Sequence, residues 1–241
     1  MTYCVGMLLD EGLVFLSDSR TNAGVDQINT FRKMSVFEKP GERVLVIMSA
    51  GNLAITQSLI SLLREAIDAN DGQTLMNAPN LYEAARVIGE VLREVHRRDA
   101  EALKAFSIEF NAALILGGQI GGEAPRLFSI YAAGNFIEST PETPYFQIGE
   151  SKYGKPIIDR VIKTTTSLPQ AAKCALISMD STIRSNLSVG LPLDLVAVRR
   201  DELRVAHRQV LDADNDYLHM LHTRWGESLR QAFGELPDPE F

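Results

Sequence analysis

Cysteine is scarce in this chain of 241 residues: Cys4 and Cys174 are its only two, both in apolar surroundings. Two thiols are too few for a disulfide framework and supply no metal-ligand spacing, so they read as buried thiols of a reducing compartment. Four histidines include one i, i+3 pair, His219 and His222, but no cysteine or carboxylate spacing completes a metal site around it. Positive charge is also short. Lys and Arg number 24 against 31 Asp and Glu, a net charge of −7 without a basic run, which argues against nucleic acid as a partner. No stretch approaches the roughly 20 apolar residues of a membrane span. The start lacks the basic and apolar regions of a secretory signal, and a cytoplasmic location is expected. No Gly-x-Ser-x-Gly elbow occurs. Gly117-Gly118-Gln119-Ile120-Gly121-Gly122 lacks the Lys-Ser/Thr that would make it a phosphate loop, and reads as a hairpin connection.

What is present is an ordinary globular composition, 45% hydrophobic and 23% charged, long enough for one sizeable domain over residues 1–241. Residues 2–9 and 12–18 alternate or run apolar, as strands do, around a corner at Asp10-Glu11-Gly12. Residues 33–38 and 44–48 continue the strand pattern. Asn52 is placed to cap a helix through Asp68, and Asn80 with Glu83 resembles a capping box before a second helix. Strands are expected over 106–116, 126–132, 136–137 and 145–148, then helices over 156–163 and from Ser167 to about Asn186, then a strand over 193–198. Strand runs alternating with helix pairs indicate an α+β fold with helices laid outside packed sheets. Residues from about 206 to 236 read as a C-terminal helical extension. Its stripe of Tyr217, Leu218, Leu221, Trp225, Leu229 and Phe233 fits either a cover for the domain or a subunit contact.

Chemistry concentrates at the beginning. Removal of Met1 leaves Thr2 with a free α-amine, so one residue carries a hydroxyl nucleophile and an amine that can serve as its base. An α-amine titrates near pH 8, within reach of neutrality. A lysine ammonium nearby would favour the neutral amine, and a carboxylate would keep that lysine charged and oriented. Lys33 and Asp18, both at expected strand ends, are the candidates. Spacing alone also fits an ordinary strand-starting threonine and a surface ion pair.

The run Thr2, Gly6, Gly12-Leu13-Val14, Asp18-Ser19-Arg20 and Lys33 resembles the opening of proteasome β-type subunits. Met1-Thr2-Tyr3-Cys4-Val5-Gly6, the corner Ser17 to Asp26 and Thr30-Phe31-Arg32-Lys33-Met34 are similar to the bacterial proteasome homologues called Anbu (ancestral β subunit). The resemblance implies the four-layer αββα sandwich of N-terminal-nucleophile hydrolases. It further implies a threonine peptidase that needs no cofactor or metal and assembles as a homo-oligomer, a ring or an open spiral. Thr2 would attack, Lys33 and Asp18 would tune it, and Gly51 would bind the oxyanion. Arg20, Ser185 and Ser188 would support the site, and Thr21 and Asn22 would contact a polypeptide substrate. Two positions depart from the family pattern. Ser185 stands where a carboxylate is usual, unless Asp180 reaches in, and Gly149-Glu150-Ser151 replaces Gly-Ser-Gly. A small-molecule amidase and a ring scaffold without activity are the competing expectations.

Overall fold

The computed structural model describes residues 1–22, 28–70 and 72–241. Strands β1 (Tyr3–Leu9) and β2 (Gly12–Asp18) form the opening hairpin, followed by the small ribbon β3 (Arg20–Asn22) and β4 (Ile28–Thr30). Strands β5 (Met34–Lys39) and β6 (Arg43–Gly51) lead into helices α1 (Leu53–Ala69) and α2 (Leu81–Ala105). Strands β7 (Ala112–Ile120), β8 (Arg126–Ile130), β9 (Phe136–Glu138) and β10 (Tyr145–Gly149) come next. Helices α3 (Lys155–Val161) and α4 (Leu168–Ser185), strands β11 (Leu193–Arg199) and β12 (His207–Leu211) and helix α5 (Asp216–Glu235) complete the chain.

Two antiparallel five-stranded sheets, ordered β10-β1-β2-β11-β12 and β5-β6-β7-β8-β9, lie face to face between helix layers. Their contacts resolve into three apolar interfaces. Helices α1 and α2 pack Leu59 and Ile88 onto Leu45, Ile47, Leu114 and Phe128 of the second sheet. Helix α4 packs Ala175 and Met179 onto Tyr3, Val5, Leu16 and Leu195 of the first. Cys4, Phe15, Val46, Met48, Ile115 and Val196 fill the space between sheets. Side chains alternate across a strand, so Tyr3 and Val5 meet the helices while Cys4 meets the opposite sheet. A strand buried on both faces needs apolar residues at every position, which is why these runs read as continuous rather than alternating. This is the αββα sandwich.

The structure corrects three expectations. Residues 106–111 do not begin a strand: the Asp99–Ala105 segment consists largely of strong helix formers, α2 runs through it, and Ser107 at φ 56° turns the chain before β7 starts at Ala112. Gly117 and Gly118 are not a loop but the middle of β7. A Cβ at Gly117 would meet the Phe15 ring at 2.7 Å, and one at Gly118 would run into the Val44 carbonyl. Glycine there lets neighbouring chains approach closely. Third, residues 207–211, expected within a helical tail, form the edge strand β12, pairing from Ala197↔His207 to Leu193↔Leu211.

Helix α5 follows, its Asn215 cap accepting the Leu218 N–H, with Leu221 buried and Leu218 packed on the α4 side of the core. Tyr217, Met220, Leu229 and Phe233 stay exposed. The tail therefore covers the domain along only one edge of its apolar stripe.

Candidate active site

The opening hairpin places Thr2 at the head of β1, beside the end of β10. The Glu150 N–H donates to the Thr2 carbonyl at 2.7 Å. Gly149 has φ 85°, and a Cβ there would collide with the Thr2 carbonyl oxygen. Only glycine adopts that backbone without penalty while leaving room for the chain crossing it. Position 149 thus fixes where the chain's first residues lie.

Asp18, at the end of β2, joins three segments. Its Oδ1 accepts the Tyr3 N–H at 2.9 Å and the Lys33 ammonium at 2.7 Å. Lys33 Nζ donates also to the Arg20 carbonyl at 2.7 Å. The side chains of Lys33 and Asp18 are 6% and 0% exposed, so this is a buried pair, unlike the surface pair that spacing also permits. Burial raises the Asp18 carboxyl above its ordinary value, and Lys33 and the Tyr3 N–H offset part of that. Desolvation is the larger effect, as expected when two charges leave water together.

These groups meet at a cleft of about 1030 Å³ between the two sheets, at the ends of their strands. Met1, Thr2, Thr21, Lys33, Ser49 and Gly51 are among the residues that line it. Gly51 ends β6 at φ 110°, where a Cβ would strike the Asn111 carbonyl, and Asn52 caps α1 through the Ala54 N–H. The Thr21 hydroxyl is buried without a hydrogen-bond partner among the described residues. The Asn22 side chain lies outside the described residues.

The α-amine of Met1, the terminus before any processing, senses this environment. Burial and then the Lys33 charge push it below its ordinary value near 8, while Asp18 and Glu150 act in the opposite direction. A depressed amine pKa leaves more of the neutral, basic form at neutral pH. Glu150 is a residue whose role the sequence hid. Its Oε1 accepts the Ser151 and Lys152 N–H groups, each at 3.0 Å, and Oε2 accepts Asn186 Nδ2 at 2.9 Å. These bonds hold its carboxyl below the usual range, with the Lys152 N–H the leading cause, so its charge acts on the Met1 amine. In protein that retains Met1, Glu150→Gln removes that charge and is expected to move the Met1 amine titration to lower pH. Acetylation of the terminus by acetic anhydride, followed against pH by peptide mass spectrometry, reads this directly. An unchanged midpoint would show that Glu150 does not act on the amine.

The other supporting candidates are placed differently. The Arg20 guanidinium lies over Gly190 and donates to the Leu187 carbonyl at 3.0 Å, and its main-chain carbonyl, as above, holds Lys33. Ser185 is exposed at the end of α4 and is not brought into the cleft. Its neighbour Asn186 reaches Glu150 instead and also accepts the Ser188 N–H at 3.0 Å. Asp180 faces α5, 2.7 Å from His222 Nδ1, so it does not stand in for the missing carboxylate. Among the described residues no cluster of three His, Cys, Asp or Glu suits a metal ion, and no helix is long and apolar enough to cross a membrane.

No family model matches the chain. Among solved structures, the chain is similar to Anbu (ancestral beta-subunit) from Yersinia bercovieri, at 55% identity and a TM-score of 0.93 with 99% of both chains covered. It is similar also to the Anbu complex from Pseudomonas aeruginosa, described as a helical assembly, at 50% identity and a TM-score of 0.94 over 99% of this chain and 98% of that one. A curated relative, a proteasome subunit beta of Haloquadratum walsbyi, is 24% identical over 209 residues, covering 86% of this chain and 77% of the relative.

Proposed function

Because the chain belongs to the Anbu family of proteasome β-subunit homologues, as a proteasome-like N-terminal-nucleophile hydrolase subunit, we propose that it cleaves peptide bonds through Thr2 once Met1 is removed. The observation that carries this reading is the shared carboxylate. Asp18 Oδ1 holds both Lys33 and the Tyr3 N–H, so the ammonium and the chain's first residues are fixed to one atom.

In the proposed reaction the Thr2 hydroxyl oxygen bonds to the scissile carbonyl carbon while its proton passes to the α-amine. The Gly51 backbone N–H stabilises the tetrahedral oxyanion, the term that usually contributes most in acyl transfer. Collapse breaks the C–N bond, the leaving amine takes the proton, and an ester to Thr2 remains. Water, giving its proton to the same α-amine, then releases the acid and restores the hydroxyl. Lys33 keeps the amine neutral and stabilises charge at the threonine oxygen, and Asp18 positions Lys33. Thr21 lines the same cleft and is proposed to contact an extended substrate. The reading takes residues 1–241 as one such subunit, assembling with copies of itself in a ring or open spiral. The helical assembly described for the Pseudomonas aeruginosa relative supports that.

Intact-mass analysis before and after treatment with a peptide β-lactone tests the chemistry. The expected protein has lost Met1 and gains one acyl group, which peptide mapping assigns to Thr2. Retention of Met1, or acylation confined to other residues, would overturn the assignment.

A further inference from the structure

The charged side chains lining the cleft are of one sign. Arg32, Lys33, Arg64 and Arg208 line it, and no aspartate or glutamate does, although the chain as a whole has a net charge of −7. They come from three separate places: Arg32 and Lys33 from the segment before β5, Arg64 from α1 and Arg208 from the edge strand β12. Lys33 is neutralised from behind by Asp18. Arg32 leans on the buried Asp194 at 3.7 Å, and Arg208 also acts on that carboxylate, so one buried charge stands behind two guanidinium groups. Arg64 and Arg208 make no ion pair within 4.0 Å among the described residues. The cleft therefore holds more cations than its own carboxylates offset.

From the geometry we infer that the cleft selects acidic peptides, with Arg64 and Arg208 pairing with substrate carboxylates some residues away from the scissile bond. This rests on the hydrolase reading for the identity of the cleft and names the substrate class it takes. Residues 53, 57, 60 and 64 of α1 line one wall along a single helical face. At 1.5 Å per residue, Arg64 lies about 16 Å beyond Leu53 along that wall, the reach of about five residues of extended chain. Phe31, Val36 and Ile60 interrupt the cations with apolar surface. That mixture suits an extended peptide better than a bare polyanion. The remaining negative charge of the protein does not reverse the local field, because at physiological salt charges beyond about 8 Å are largely screened.

Binding tests the inference without requiring turnover. The assembled Thr2→Ala protein is titrated with a rhodamine-labelled decapeptide of alternating Glu and Ala, and with its Gln-for-Glu counterpart, by fluorescence anisotropy at low and high salt. The acidic peptide is expected to bind about tenfold tighter at low salt. That advantage is expected to shrink both in high salt and in the Arg64→Gln/Arg208→Gln variant. Equal affinity, no measurable binding of either peptide, or an advantage the double variant leaves intact would overturn the inference. An oligo-dT of equal charge that competes as well as the acidic peptide would also overturn it, in favour of a general polyanion groove. If the hydrolase reading fails, β-lactone leaves Thr2 unmodified while the acidic preference persists. If the substrate class fails, Thr2 is acylated while the two peptides bind alike.

Discussion

Lys33→Ala is expected to lower peptide turnover by about a thousandfold, the combined scale of a lost charge stabiliser and a lost influence on the base. It is also expected to destabilise the fold by about 3–5 kcal/mol, since it leaves the fully buried Asp18 without its cation. The two losses have different origins and can be separated. In Lys33→Ala the Asp18 carboxyl rises further above its unfolded value, because burial then acts without the offset. A carboxyl with a raised folded pKa supports the fold below its unfolded pKa and ceases to do so as pH climbs through the folded value. The single variant should thus gain stability relative to wild type as pH falls. In Asp18→Asn/Lys33→Met both charges are gone, while an amide oxygen still accepts the Tyr3 N–H. Urea melts should recover most of the lost stability in this double variant. Turnover should not recover with it. A double variant as active as wild type would remove Lys33 from the chemistry and leave it a structural ion pair.

Gly149→Ala should affect the site without touching any reacting group. At φ 85° an alanine costs about 1–3 kcal/mol in backbone strain alone, and its Cβ must also displace the Thr2 carbonyl. The total is expected near 3 kcal/mol, a fall of about 10 °C in Tm for a chain of this length. Acylation of Thr2 by β-lactone should fall by about a hundredfold, because a displacement of about an ångström is enough to spoil attack geometry. Gly122→Ala is the control, since that glycine also has positive φ, at 91°, but nothing within 4 Å of an added Cβ. It should lower Tm modestly and leave acylation intact. Parallel losses of acylation in both variants would mean that strain, not the crossing at Thr2, is responsible.

Sequence and structure agree where the chain's local pattern is sufficient. Thr2, Asp18 and Lys33 sit at the margins of strongly apolar strands, and Asp18 and Lys33 do come together. The helix caps at Asn52, Asn80 and Ser167 likewise follow from residue type. Disagreement arises where tertiary contact overrides local preference. Glycine is depleted from strands, so the Gly117-Gly118 pair reads as a break, yet the Phe15 ring occupies the space over Gly117 and the Val44 main chain that over Gly118. Strand β12, His-Arg-Gln-Val-Leu, is exposed at four of its five positions and has no apolar alternation to announce it. The Glu150–Asn186 contact and the Arg64–Arg208 cation set are invisible in sequence for another reason: the residues that meet lie tens of residues apart. Nothing in linear spacing says that α1 and β12 flank one cleft.

Phe15 over Gly117, and Gly6 facing Ile115, set the spacing between the two sheets. Asp18 and the strand that follows Thr2 belong to one sheet, Gly51 and the strand that follows Lys33 to the other, so the cleft is a calliper whose pivot lies in the core, about 17 Å along β7 from its jaws. Widening the pivot by one methyl would open the jaws while leaving every residue at the tips unchanged, so core glycines here govern the width of the cleft as much as folding.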